Sequence, residues 1–258
     1  MPELRQYKYQ RDFSHLQQDA MYDSERRQHK ARKTIAVIQD YLSQTGKDAR
    51  DLSLLDIGCS TGYMSQAYGQ YFGQVTGIDI DQSAVEHAIQ KFSSGTVKFF
   101  VKDSMDTGLA ERSFDVVTCT QIYEHVPDST KLMSEIFRVL KPGGICYFAA
   151  GNRLQLIEPH YRLPLLSVIP KWLANYYIRW AGRAESYYET HLSYWGLRRL
   201  VREFDLFDYT LKIIRNPAKY NATEMVRGGS LKQNLALGIL VFAYWVCPGY
   251  IWILRKPL

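Results

Sequence analysis

A glycine-punctuated bend between a short apolar strand and a helix constrains this chain more than any other feature. Residues 54–57, Leu-Leu-Asp-Ile, run into Gly58-Cys59-Ser60-Thr61-Gly62-Tyr63, and a helical stretch follows at once. Glycines there let the backbone turn tightly and let a ligand approach the main chain. Asp79 closes the next apolar run, 21 residues beyond Gly58, where a carboxylate can accept hydrogen bonds from both hydroxyls of a ribose. Bend and acid together imply an adenosine-containing ligand. A dinucleotide fingerprint would need glycine where Ser60 and Tyr63 stand, which weakens that reading.

The rest of the chain alternates in the same way. Short apolar runs at 54–57, 75–80, 97–101, 114–118 and 145–150 read as buried parallel strands. Between them, Ala84, Val85, Ala88, Ile89 and Phe92 form one helical stripe and Leu132, Ile136, Val139 and Leu140 another, closed by Lys141-Pro142-Gly143-Gly144. Leu197, Leu200, Val201 and Phe204 share a helix face, and residues 209–214 read as a sixth strand. Ahead of all this, Ile35, Ile38, Tyr41 and Leu42 mark an amphipathic helix that Gly46 ends. The pattern predicts a doubly wound, mostly parallel α/β sheet. At 258 residues it forms one large domain, residues 52–258, preceded by an N-terminal helical region, residues 1–51, expected to cover the cofactor site.

The bend resembles the DxGxGxG turn of class I S-adenosylmethionine-dependent methyltransferases, with Asp56, Gly58, Ser60 and Gly62 in its places and serine for the middle glycine. Lys102-Asp103-Ser104-Met105, Phe114-Asp115-Val116-Val117, Tyr123-Glu124-His125-Val126 and Leu140-Lys141-Pro142-Gly143-Gly144 follow in that family's order. The likeness covers residues 52–150 and is nearest the small-molecule and quinone-type subgroup. It implies a seven-stranded Rossmann-like sheet whose antiparallel last strand is 250–254, with S-adenosylmethionine as cofactor. It also implies cofactor contacts at Asp56, Gly58, Cys59, Ser60, Gly62, Asp79, Ile80, Asp103, Ser104 and Gln121. Family members that methylate nucleic-acid bases carry a Pro-Pro-aromatic tetrad where this chain has Thr120-Gln121-Ile122-Tyr123, which argues against a nucleic-acid substrate.

Methyl transfer from a sulfonium needs an in-line nucleophile, so positioning and exclusion of water supply much of the catalysis. For a hydroxyl acceptor, His160 in Glu158-Pro159-His160-Tyr161 and His125 after the fourth strand are the candidate general bases, each with a hydrogen-bonded structural role as its alternative. His191 is a weaker third. Tyr123 and Tyr161 could wall the methionine end or simply fill space, and Glu124 could receive the cofactor's ammonium or cap a turn. No metal is expected: the four cysteines are scattered, and Asp103 and Asp106 have no third hard ligand beside them.

Two stretches interrupt the alternation, and the family's topology places both at the active-site edge. Residues 152–192 are rich in large apolar and aromatic side chains, and residues 216–248 separate the sixth and seventh strands. Residues 235–254 carry no charge, but Pro248-Gly249 divides them, which argues against a membrane span. Residues 152–192 hold five basic and three acidic side chains, and 216–256 hold five and one, which accounts for the whole formal charge of +6. All five tryptophans lie beyond residue 152, and tryptophan favours membrane interfaces.

These features point to methylation, at oxygen or carbon, of a hydrophobic or membrane-associated small molecule such as a lipid, a prenylated compound or a quinone, with peripheral contact to an anionic membrane. A soluble hydrophobic metabolite under an aromatic lid, a dimer interface, and a nicotinamide-dependent oxidoreductase are the alternatives. The polar N-terminus and unpaired cysteines fit a reduced, cytoplasmic protein.

Overall fold

The computed structural model describes Tyr7 and residues 9–258, so residues 1–6 and 8 of the expected N-terminal region lie outside the described residues. β1 (Ser53–Ile57), β2 (Gln74–Asp79), β3 (Val97–Val101), β4 (Phe114–Thr120) and β5 (Leu140–Gly151) follow the apolar runs and pair in parallel. A small separate hairpin joins β6 (Ile157–Glu158) to β7 (Leu163–Pro164). β8 (Asp205–Asp208) and β9 (Gly249–Arg255) complete a seven-stranded sheet in the order β3-β2-β1-β4-β5-β9-β8, with β9 antiparallel to both neighbours. Strand order reverses between β1 and β4, and in open α/β sheets ligands bind at such a switch, beyond the strands' carboxyl ends.

Period-two alternation sends successive side chains to opposite faces. Leu54, Val75, Val97, Val116, Ile145 and Tyr147 bury one face with α3 (Ser24–Leu42), which follows two single-turn helices, α1 (Phe13–Leu16) and α2 (Gln18–Met21). From α3 come Ile35, Ile38, Tyr41 and Leu42, the stripe read from sequence, so this helix shares one core with the sheet. α4 (Tyr63–Tyr68) and α5 (Gln82–Phe92) pack on the same face through Met64, Tyr68, Val85 and Ala88. Leu55, Ile57, Ile78, Val117, Cys146 and Phe148 bury the other face, against Leu132, Ile136 and Val139 of α6 (Ser129–Val139). Further along, α7 (Lys171–Trp180) contributes Ala174 and Ile178 to a small third core with Tyr161, Leu163, Leu166 and Tyr187.

Two sequence expectations need correction. Residues 209–214 are not the sixth strand: α8 (Tyr194–Leu200) leads into β8 at 205–208, and α9 (Thr210–Arg215) follows. Asp208 Oδ1 accepts from Thr210 N at 2.8 Å, just ahead of the helix, while Tyr209 and Ile213, four apart, bury one side of it. Leu140, read as part of the helical stripe, instead starts β5, and the Lys141-Pro142-Gly143-Gly144 stretch lies within that strand, with Gly143 at φ +71° and a register shift between Phe114 and Val116 on β4. The uncharged stretch 235–254 is divided between α10 (Leu231–Phe242), a 3-10 turn (Tyr244–Val246) and β9. No helix of the described residues is long and apolar enough to cross a membrane.

The β3–β4 connection is tied to α6 by one carboxylate. Glu135 accepts from Thr107 N at 2.9 Å, from Thr107 Oγ1 at 2.5 Å and from Arg138 at 2.7 and 2.8 Å. Burial opposes its charge, but the hydrogen bonds from Arg138 and Thr107 win and hold its pKa down to about 2. A carboxylate depressed in the folded state stabilises above its unfolded pKa and loses that contribution as pH falls towards the folded value. Glu135→Gln is therefore expected to lower stability at pH 7 by about 1–2 kcal/mol. The gap to the parent should shrink as pH falls from about 4.5 to about 2. Urea unfolding of both proteins at pH 7 and pH 3 checks this, and a gap that does not change with pH contradicts it.

Candidate active site

The bend after β1 is built on left-handed backbone. Gly58 stands at φ +73°, Ser60 at +48° and Gly62 at +81°, so a serine occupies a conformation that favours glycine. Gly58 N and Cys59 N both donate to Ile78 O, at 2.9 and 3.0 Å, which binds the bend to β2. A side chain at Gly58 would meet Ile122 Cδ1 at 2.1 Å, so glycine also admits the loop after β4. Beneath the bend, Asp56 accepts from Ser65 Oγ and Thr118 Oγ1, both at 2.6 Å. Burial pushes its pKa up to about 6. Asp56 thus supports the turn from inside the protein. Cys59 is buried, and burial raises its thiol well above the ordinary range.

Asp79 closes β2 with its carboxylate turned to the bend: Oδ2 accepts from Ser60 N at 2.8 Å and Oδ1 from Asp81 N at 3.0 Å. Burial is the main cause raising its pKa. Ile80 and Asp103 line one cleft of about 660 Å³ together with Lys102 and, from the N-terminal segment, Arg11, Asp12 and His15. Asp103 accepts from Met105 N at 2.8 Å and from Tyr7 Oη at 3.2 Å, and Ser104 beside it is half-buried. The N-terminal segment is laced to this edge: Ser14 N donates to Asp81 Oδ2 at 2.8 Å, and Thr61 Oγ1 donates to Met21 O at 2.6 Å. These residues fit an adenosyl sulfonium. Ser60 Oγ is buried at the bend with no partner among the described residues, a left-handed main chain is open to close approach, and a carboxylate stands at the adjacent strand end.

A second group of side chains gathers where β4 and β5 end. Gln121, at φ +57°, donates its N–H to Ala149 O, and a methyl group placed on Gly151 would lie 3.4 Å from both Gln121 Oε1 and the His191 ring. Tyr123, read as a candidate at the methyl-transfer centre, donates its hydroxyl to Gly151 O at 2.5 Å and accepts from Leu192 N at 3.1 Å. It thereby clasps the end of β5, and burial keeps its phenol protonated. His125 and His160 meet edge to face at 4.8 Å, and His160 stacks towards His191 at 6.4 Å. Glu158 Oε1 lies 2.6 Å from His160 Nδ1, while Tyr9 Oη donates to Glu189 Oε1 at 2.6 Å and His125 Nδ1 lies 3.7 Å from the same oxygen.

Electrostatics separate these groups. Burial opposes charge on His160, but the Glu158 hydrogen bond and neighbouring carboxylates hold its pKa up to about 9. Burial, with His160 and His191 nearby, drives His125 well below the usual range. Burial would raise Glu158 too, yet His160 and His191 bring it down to about 2. Glu124 is wholly buried, with neither carboxylate oxygen partnered among the described residues, and burial raises it to about 7.

Sequence reasoning overlooked Arg27, Glu158 and Glu189. Half-buried Arg27 on α3 donates Nε to Ala20 O at 3.3 Å and is electrostatically coupled to Asp56 and Asp79. Its only sequence signal is its place beside Arg26, Lys30, Arg32 and Lys33 in a polar stretch. Glu158 was legible only as the neighbour of His160.

Residues 55–148 match a family model described as Methyltransferase domain. Among curated proteins, the chain is 34% identical over 139 residues to a ubiquinone biosynthesis O-methyltransferase of Pseudomonas entomophila, covering 50% of this chain and 57% of that protein. It is 28% identical over 151 residues to the protein of that name from Proteus mirabilis, covering 54% and 60%. The chain thus spans under two thirds of the length of these relatives. Among solved structures, a chain from a complex of the Haloferax volcanii Trm112 methyltransferase activator with a methyltransferase superposes with TM-score 0.54 at 16% identity, covering 93% of this chain and 97% of that one. A phosphoethanolamine N-methyltransferase of Haemonchus contortus, solved with S-adenosylhomocysteine, superposes with TM-score 0.50 at 19% identity, covering 84% and 51%. At these identities the structural likenesses establish the fold.

Proposed function

We propose that this chain is a class I S-adenosylmethionine-dependent methyltransferase that methylates an oxygen, in preference to a carbon, of a large apolar quinone-like acceptor taken from an anionic membrane surface. Bound at the bend, the cofactor supplies an electrophilic methyl group; the chain's own residues orient the partners and exclude water. We assign the main chain of Gly58, Cys59, Ser60 and Gly62 to the methionine and ribose end, with Asp56 bracing it and Asp79 taking the ribose hydroxyls. Ile80, Asp103 and Ser104 hold the adenine, and Gln121 faces the reacting end. His125, kept neutral by burial, is the proposed proton acceptor for the acceptor hydroxyl, with His160 packed edge to face beside it and Tyr123 positioning the strand beneath them. The N-terminal region closes over the adenosine cleft through Ser14, Met21 and Tyr7. The relatives named as ubiquinone biosynthesis O-methyltransferases support oxygen and a quinone-like ring.

One observation carries the membrane part: an apolar face left uncovered beside the site. On α10 and the turn after it, Leu231, Leu235, Ile239, Phe242 and Trp245 are exposed, Phe242 at 91%, and Trp245 meets exposed Trp195 of α8 at 5.5 Å. Contiguous exposed apolar surface of this kind marks an interaction site. Asn152, the residue after β5, donates to Trp245 O at 2.9 Å and Cys247 O at 2.7 Å, which anchors this face to the edge where the acceptor must enter. Exposed Arg198, Arg199 and Lys232 lie on the same helices, as anionic headgroups require. Trp172, Tyr176 and Trp180 of α7 form a second exposed set.

Co-sedimentation with phosphatidylglycerol vesicles tests this. The parent chain is expected to pellet with them, and Phe242→Ser with Trp245→Ser to remain in the supernatant while keeping the parent's circular dichroism. Trp172→Ser with Trp180→Ser, made in the parent, should weaken binding. No binding at any lipid composition contradicts the membrane proposal, and methyl transfer from labelled cofactor to a water-soluble acceptor would then place the substrate under a lid instead.

A further inference from the structure

We propose that Glu158, His160 and His191 form a binding site for one zinc ion, distinct from the cofactor turn. One ligand atom from each lies within 4.8 Å of the other two. The carboxylate oxygen is 2.6 Å from the first imidazole and 3.5 Å from the second. Ligands bonded to zinc at about 2.0–2.2 Å in a tetrahedron stand roughly 3.3–3.6 Å apart. The observed 2.6 Å is short of that spacing and the 3.5 Å matches it, so for the carboxylate's two pairs closure needs a side-chain shift of about 1 Å or less. Two imidazole nitrogens and one carboxylate select zinc and its transition-metal neighbours, whereas magnesium and calcium seek oxygen-only sets.

The site is held in place. Glu158 and His191 are buried, and Glu158 Oε2 accepts from the backbone N–H groups of His160 at 2.9 Å and Tyr161 at 2.8 Å, which fixes the carboxylate's direction. The β6–β7 hairpin carries Glu158, and His160 lies in its turn, so two ligands share one rigid unit. His160 retains 15% side-chain exposure, which gives an ion a way in.

An independent observation asks for a cation at this place. Glu124 is fully buried, neither of its carboxylate oxygens has a partner among the described residues, and its charge is coupled to His191 and His160. His191 Nδ1 likewise has no partner among the described residues. A buried carboxylate without a donor is costly, and a divalent ion among the neighbouring imidazoles would compensate it. Glu158 and His160 are two residues apart, but His191 lies 31 residues beyond His160, so no local spacing displays the full set. The inference does not depend on which acceptor the enzyme methylates.

The test uses the full chain after chelation and dialysis, titrated with zinc chloride by calorimetry and with cobalt chloride by visible absorption. One ion per chain is expected, with cobalt giving the intense bands of a low-symmetry four-coordinate site. His191→Gln, which removes a ligand outright, should weaken zinc binding at least about tenfold, the lower bound for loss of a mere supporting hydrogen bond. Glu158→Gln should do the same, and the His191 variant decides the matter if loss of Glu158 disturbs the hairpin. Cofactor affinity, measured in parallel, should stay within about twofold, so failure at the zinc site is distinguishable from failure at the cofactor turn. Sub-stoichiometric zinc binding, zinc affinity unchanged in folded His191→Gln, or a preference for magnesium over zinc overturns the proposal.

Discussion

Gly62→Val is expected to destabilise the fold by about 2–5 kcal/mol, because it imposes two separate penalties. Gly62 stands at φ +81° as the residue that starts α4, a conformation in which a β-branched side chain is a genuine outlier. A Cβ there would lie 2.6 Å from Ala88 Cβ and 3.0 Å from Phe99 Cζ. Neither neighbour can yield easily: Ala88 is buried on α5, and Phe99 is buried in the sheet. Backbone strain of roughly 1–2 kcal/mol therefore adds to overpacking of roughly 1–3 kcal/mol. Gly62→Ala should fall between the parent and the valine variant, since it keeps the close contact without β-branching. Urea unfolding reads the effect directly. A valine variant with the parent's midpoint would mean that the bend tolerates a different backbone path, and the role given to its left-handed residues would fail.

Much of the sheet was legible because buried parallel strands flanked by amphipathic helices leave two clear periods in the sequence. The runs at 54–57, 97–101 and 114–118 fall within or on β1, β3 and β4, and the stripe through Ile35, Ile38, Tyr41 and Leu42 is the buried face of α3. The last part of the sheet was harder to read. β8 is only four residues long and lies between two helices, and its hydrophobicity is no greater than that of the helix after it. Asp208 Oδ1 accepts from Thr210 N and turns the chain out of β8 just ahead of the helix, a contact that a count of apolar residues does not register.

The site divides in the same way. Gly58, Ser60, Gly62 and Asp79 lie on one strand–turn–helix unit and its neighbouring strand, so their order along the chain displays their geometry. Glu124, Glu158, Glu189 and His191 come from three segments that meet only after β4, β5 and the first insertion have folded together. The insertion's aromatic richness was visible, but not the split between side chains that fill its own core, such as Tyr161 and Tyr187, and those left facing outward, such as Trp172 and Trp180.

Asp79→Ala is expected to weaken S-adenosylmethionine binding by about 1–3 kcal/mol, roughly five- to a hundred-and-fifty-fold. Asp79 ends β2 beside the bend, and its carboxylate already accepts from Ser60 N and Asp81 N, which fixes its direction. A carboxylate's remaining lone pairs can take the two ribose hydroxyls as charge-assisted hydrogen bonds. Removing it deletes those bonds and frees the two main-chain donors that orient the turn. Asp79→Asn is the shape-preserving control: it keeps one acceptor oxygen and should fall between parent and alanine variant.

Isothermal calorimetry of the parent and Asp79→Ala with S-adenosylmethionine and with NAD tests the assignment of this bend to an adenosyl sulfonium most directly. The parent should bind one S-adenosylmethionine per chain and no NAD at comparable concentration, and folded Asp79→Ala should bind the sulfonium at least fivefold more weakly. Tighter binding of NAD by the parent, or equal sulfonium affinity in the two proteins, would contradict it.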